Sequence, residues 1–276
     1  GKLNAIDSIM AKLLVASLAL TSALKTDKPL APVLKLRGGV DKNMVATAYT
    51  TIGSANAVMT YLATEKNIEA YGIDKPSPVS IFMMKFAGLI MTSTVIMSWC
   101  ALNGIETQRA LAWGSVPFLV GSADTLLNDK CAALGIDPKG QVFNAALSAL
   151  FTYSLFSGFQ SGAVMKFLPG WLLFNGVNCA LLPELACKMW GVPSSDEIAF
   201  FIKGFGYFMA SCATLMGSLV LGNDATTAIG YSLVPMLLNI MDNKFVSKTF
   251  EMFGVKDGPI YAWAAIMTGS LISLLM

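Results

Sequence analysis

Apolar residues along this chain gather into eight long runs, 44–63, 79–102, 110–127, 142–164, 170–190, 197–222, 228–243 and 259–276, separated by short polar turns. Each is at or near the roughly 20 residues that an α-helix needs to cross a bilayer. Two runs are short and interrupted, so the pattern predicts six to eight spans. The turns carry a further signal at Gly72, Gly135, Gly191 and Gly254, each followed within a few residues by Asp or Pro. Glycine there ends one helix through a left-handed cap, and the Asp or Pro starts the next. The expected fold is all-α: a polytopic transmembrane bundle of about eight helices arranged as helical hairpins.

Shifting the chain against itself by 118 residues places Phe82 on Phe200, Lys85 on Lys203, Gly88 on Gly206, Pro117 on Pro235 and Asp124 on Asp242. One further residue of shift places Asn56 on Asn175, Glu65 on Glu184, Gly72 on Gly191 and Gly135 on Gly254. Matches that include charged positions are not produced by apolar composition alone, so the sequence reads as a tandem duplication. The halves run over 44–162 and 165–276, and an even number of helices in each makes the repeat parallel rather than inverted.

Residues 1–43 stand apart. "MAKLLVASLALTSAL" at 10–24 has a lysine, an apolar core and small residues at its end, the shape of a secretory signal; a short anchor helix is the alternative. The linker after it, "KTDKPLAPVLKLRGGVDKN", contains "LKLRGG", which resembles both the tail of ubiquitin and segments that follow signal peptides in some algal plastid proteins. The expected location is therefore an endomembrane or plastid membrane.

Composition agrees with the membrane reading and narrows the chemistry. The chain is 55% hydrophobic and 13% charged, with mean hydropathy +0.62; soluble proteins carry about 25% charged residues. A net charge of +2 without a basic cluster argues against nucleic acid as a partner. The absence of histidine removes His-dependent acid–base catalysis and His-ligated haem or metal. Cys100, Cys131, Cys179, Cys187 and Cys212 show no CxxC spacing and read as free thiols. No nucleophile elbow, Walker loop, dinucleotide fingerprint or HExxH is present. The chain is expected to be no enzyme, with no catalytic residue, no metal site and no obligatory cofactor. A bound lipid or pigment is compatible with it, a pigment then relying on Asn, Gln, Glu or backbone ligands.

The intramembrane charges are the candidate site. Glu65, Lys85 and Asp124 fall near the same membrane side, side A, where the Gly turns lie; Glu184, Lys203 and Asp242 repeat the arrangement. A lone charge in a spanning helix costs roughly 2.5–3.5 kcal/mol on insertion scales. Three roles are open: each lysine snorkels to the headgroups, is locked by one or both carboxylates of its own half, or forms with them a ligand or ion site. Pro117 and Pro235, seven residues before the aspartates, are expected to kink their helices and free a carbonyl. Asn56, Asn144, Asn175, Asn178 and Asn239 offer bridges between helices. Gly158 and Gly162 have the GxxxG spacing of close helix approach. The stripes Met83, Met84, Met91, Met97, Phe200, Phe201 and Phe208 read as helix packing and lipid contact rather than a cofactor box. Lysines concentrate on side A, which by the positive-inside rule faces the cytoplasm or its equivalent.

A turn Gly-hydrophobe-Asp/Pro, then an apolar helix with a basic residue three before a glycine (Lys85–Gly88, Lys203–Gly206), resembles small four-helix membrane proteins grouped as DoxX-like. The resemblance covers about 50 residues of each half and implies the four-helix unit; the basic residue there is commonly Arg, where this chain has Lys. The resulting expectation is a non-enzymatic integral membrane protein that scaffolds a complex of membrane subunits or holds a lipid-like ligand. The alternative is a small-solute or ion carrier whose path is lined by the paired Lys and Asp.

Overall fold

A computed structural model of the protein describes residues 41–276, so the signal-like segment at 10–24 and nearly all of the linker lie outside the described residues. In chain order the elements are α1 (Lys42–Leu62), α2 (Thr64–Ala70), α3 (Pro78–Leu102), α4 (Thr107–Leu127), α5 (Lys130–Leu134), α6 (Pro138–Ser157), α7 (Ser161–Leu181), α8 (Pro183–Trp190), α9 (Asp196–Val220), α10 (Ala225–Met241), a π-turn (Asp242–Val246), α11 (Thr249–Met252) and α12 (Asp257–Leu275). All are helical, with no strand among the described residues. Four of them, α3, α4, α9 and α12, are long and apolar enough to cross a membrane. The protein is an all-helical membrane protein.

Local chemistry sets the helix ends. Ser77, Ser195 and Asp224 accept hydrogen bonds from the backbone N–H three residues on, capping α3, α9 and α10. Pro78 and Pro138 occupy first-turn positions, where a missing N–H costs nothing. The turn glycines take the left-handed conformation read from the sequence, with φ of 99° at Gly72, 68° at Gly135, 63° at Gly191 and 68° at Gly254.

Two apolar runs are divided more finely than their hydropathy suggests. The run 142–164 stops at Ser157, because Gly158 adopts φ 79° and Gln160 φ 52°, and a new helix starts at Ser161. The run 170–190 breaks at Leu182, where Pro183 opens α8. A matching break without proline, at Ala63, separates α1 from α2.

Helix α3 packs on α1 and α4, with α6 beyond α4; α9 packs on α7 and α10, with α12 beyond α10. Contact between α3 and α9 joins the two sets at the centre, while α12 meets α1 and α6 meets α7 at the sides. The side A turns are tied crosswise: Lys256 N–H donates to the Tyr71 carbonyl (2.7 Å) and Asp137 N–H to the Gly191 carbonyl (3.0 Å).

The closest helix crossing is not at the GxxxG pair, since a Cβ on Gly158 or Gly162 would meet nothing within 4 Å. It lies between α7 and α9, where a Cβ on Gly206 would come within 2.4 Å of Ala180 N and 2.6 Å of Gly176 O. Gly88 plays a milder version of the part on α3, 3.1 Å from Tyr61 N.

Candidate functional site

The structure divides the six charged residues of the expected site. Lys203 Nζ lies 2.7 Å from Asp242 Oδ2 and donates to Ser247 Oγ at 3.0 Å; Tyr207 donates its hydroxyl to the same Asp242 oxygen at 2.8 Å. The π-turn after Asp242 builds this group, since Ser247 N–H donates back to the Asp242 carbonyl (2.8 Å) and so brings the serine to the lysine. In the first half Asp124 is buried and paired with Lys130 instead, and accepts from Asn128 Nδ2 at 2.7 Å. Lys130 reaches it because Asp129 takes a left-handed conformation (φ 51°) that turns α5 back toward the end of α4.

Lys85 is half-buried and has no ion pair or hydrogen bond among the described residues. Glu65 and Glu184 do not join the lysines: both are exposed, in the first turns of α2 and α8, where a carboxylate favours the helix N-terminus. The chain breaks at Ala63 and Leu182 carry them off the axes of α1 and α7, which is why continuous long helices misplace them.

Pro117 and Pro235 sit inside α4 and α10 as expected. Three residues before Pro235 the carbonyl of Ser232 accepts a hydrogen bond from Ser211 of α9 at 2.7 Å; the carbonyl that loses its helical donor to the proline is the one four residues back, Tyr231. At Pro117 the buried Ser115 donates to Ala112 O (2.7 Å) and accepts from Thr152 of α6 (2.9 Å).

Space inside the bundle lies elsewhere. A cavity of about 210 Å³ opens between α1 and α3 on one side and α9, α10 and α12 on the other. Its walls include Met84, Met91, Phe200, Phe201 and Phe208, five of the seven Met and Phe positions read as packing and lipid contact. Its polar lining is largely satisfied: Asn67 donates to Thr60 Oγ1 (2.9 Å), Asn243 to Asn239 Oδ1 (2.6 Å) and Trp263 to the Tyr71 hydroxyl (2.9 Å). Burial pushes the Tyr71 phenol up, and the bond from Trp263 opposes that shift.

Three lining groups are left over among the described residues: the hydroxyls of Tyr49 and Thr50 and the amide of Asn56. Thr50 is 2% exposed, and its hydroxyl is buried with no hydrogen-bond partner among the described residues. Asn56, two turns along α1, is half-buried and its amide is likewise unpartnered among them. A buried hydroxyl left unpaired costs about 1–3 kcal/mol.

A second cavity of about 110 Å³ lies between α3, α4, α6, α7 and α9. Neither cavity is lined by Asp, Glu, Lys or Arg, so Lys85, Asp124, Lys203 and Asp242 line neither. Of the asparagines expected to bridge helices, Asn56 and Asn239 line the first and Asn144 and Asn175 the second; Asn175 bonds within its own helix, to Trp171 O at 2.8 Å. Thr50 escaped the sequence reading because periodicity reports which face is buried, not which hydroxyls on it are satisfied.

Compared with protein-family models, curated proteins and solved structures, the chain matches none of them significantly.

Proposed function

We propose that this is a multi-pass, non-enzymatic membrane protein of two fused, similar four-helix units, and that it holds a neutral lipid-like molecule in the larger cavity between them. The observation that carries this reading is the unpartnered hydroxyl of Thr50 on an uncharged, Met- and Phe-rich wall. Such a wall favours an apolar body, and the hydroxyl favours one oxygen to hydrogen-bond with it. An ion or charged solute finds no counter-charge there, which speaks against the carrier reading.

Support for two similar units comes from the cavities themselves, which are lined by corresponding positions. Asn56 and Tyr71 in the larger cavity answer to Asn175 and Trp190 in the smaller, and Phe200 and Met236 to Phe82 and Phe118. The eight helices of 17 residues or more would then supply the spans. The signal-like segment supports delivery through the secretory route, to an endomembrane or plastid membrane.

The test is thermal unfolding of the purified protein with added monoolein, an uncharged single-chain lipid. The wild type is expected to gain several degrees in Tm by mass action. Thr50→Val, close in volume, is expected to start at or above the wild-type Tm and to gain clearly less. Equal gains in both proteins, or none in either, would contradict the proposal.

A further inference from the structure

The smaller cavity differs from the larger in its lining, and that difference points to a different ligand. Helices α4 and α6 each turn a stripe spaced i, i+3, i+7 toward it: Ser115, Phe118 and Ser122 on one, Gln141, Asn144 and Ser148 on the other. Gln141 is 6% exposed, and its amide makes no hydrogen bond among the described residues. Ser122, 4% exposed, and Asn144 and Ser148 are likewise unpartnered among them. Each of these four side chains carries a hydrogen to donate. Ser115 and Asn175 are already committed, to Ala112 O and Trp171 O.

The rest of the wall is apolar, with rings set among Met, Ile and Leu side chains. Phe82, Phe86, Phe151, Trp171, Trp190 and Phe205 surround the polar stripe from α3, α6, α7, α8 and α9. Rings in such a wall favour a flat π-system seated edge-on or offset against them. The volume, about 110 Å³, is on the scale of cavities known to take one six-membered ring, on the order of 150 Å³. No charge is available to neutralise an ion.

We infer that the smaller cavity is a second binding site, selective for a neutral ring that presents carbonyl oxygens, a quinone-like head group, with Gln141 and Asn144 donating to those oxygens. It goes beyond the lipid-like ligand of the larger cavity and depends on neither Thr50 nor the two-unit reading. At the positions corresponding to Gln141 and Asn144 the larger cavity has Ile260 and Trp263; of its own carboxamides Asn67, Asn239 and Asn243 are hydrogen-bonded and Asn56 alone is unpartnered among the described residues, so it has no pair of unpartnered amides.

Titration of the purified protein with decylubiquinone, read by tryptophan fluorescence, tests it, because Trp171 and Trp190 line this cavity. Saturable quenching is expected, with a Kd raised about fivefold by Gln141→Leu, the loss of one hydrogen bond. Thr50→Val is expected to leave that Kd unchanged. Without quinone, Gln141→Leu is expected to melt no lower than the wild type, since it removes an unpaired amide. Should it fail to fold, Asn144→Leu supplies the same comparison. Quenching that never saturates, that is equally tight in the Gln141 or Asn144 variant, or that is lost in Thr50→Val instead, would overturn the assignment. Separate results for Thr50→Val with monoolein and Gln141→Leu with the quinone keep failure of one site distinct from failure of the other.

Discussion

Lys203 and Asp242 lie 2.7 Å apart across α9 and the start of the π-turn. Lys85, 118 residues earlier, has no acidic partner among the described residues, because Lys130 holds Asp124. Two lysines at matching places are therefore held differently: Lys203 is ion-paired, and Lys85 has no ion pair or hydrogen bond among the described residues.

Removing the locked lysine strands a mostly buried carboxylate. Lys203→Met is expected to cost roughly 2 kcal/mol, below the 3–5 kcal/mol of a fully buried pair because both groups keep some contact with solvent. Lys203→Met with Asp242→Asn should recover most of that loss, whereas Lys85→Met should change stability by less than about 0.5 kcal/mol. Chemical denaturation of the four proteins in one detergent reads the differences.

The crossing of α7 and α9 makes a second comparison available on one helix. Any Cβ at Gly176 would fall 2.8 Å from both Ala210 N and Gly206 O, backbone atoms that cannot step aside. Gly170, on the same helix, faces open space. Gly176→Ala is expected to destabilise by about 1–3 kcal/mol through overpacking. Gly170→Ala is expected to stabilise by about 0.5–1 kcal/mol, the usual gain of Ala over Gly within a helix. Similar effects at both sites would contradict the crossing.

Asp224 gives a pH dependence. Its carboxylate caps α10, and hydrogen bonds from Thr226 and Thr227 hold its pKa well below the ordinary carboxylate range. A depressed folded-state pKa contributes stability that is fully present above the unfolded value, about 3.9, and is lost as pH falls through the folded value. Asp224→Ala is expected to cost about 1 kcal/mol at pH 7. The gap between variant and wild type should narrow progressively below pH ~3.9 in denaturation measured across pH.

Much of this architecture can be read from the sequence, and the failures have local causes. Apolar run length locates the long helices, and Gly72, Gly135, Gly191 and Gly254 mark turns because a positive φ disfavours other residues there. The Lys203–Asp242 pair follows from antiparallel packing at a common depth. The other pairing does not, because Asp129 takes up a left-handed turn that brings Lys130 within reach of Asp124. GxxxG spacing misleads at Gly158, where the glycine ends a helix, while the real contact at Gly176 and Gly206 joins two helices and has no linear spacing to betray it. Thr50 and Gln141 look ordinary in the sequence; their interest lies in the partners they lack, which only packing reveals.

The central claim is that the larger cavity holds a neutral lipid-like molecule, and native mass spectrometry of the protein extracted from its own membrane in mild detergent tests it most directly. The account predicts a stoichiometric added mass from an uncharged small molecule, present on the wild type and depleted on Thr50→Val. A wild-type spectrum showing only the bare polypeptide, or an adduct retained equally by the variant, would contradict it.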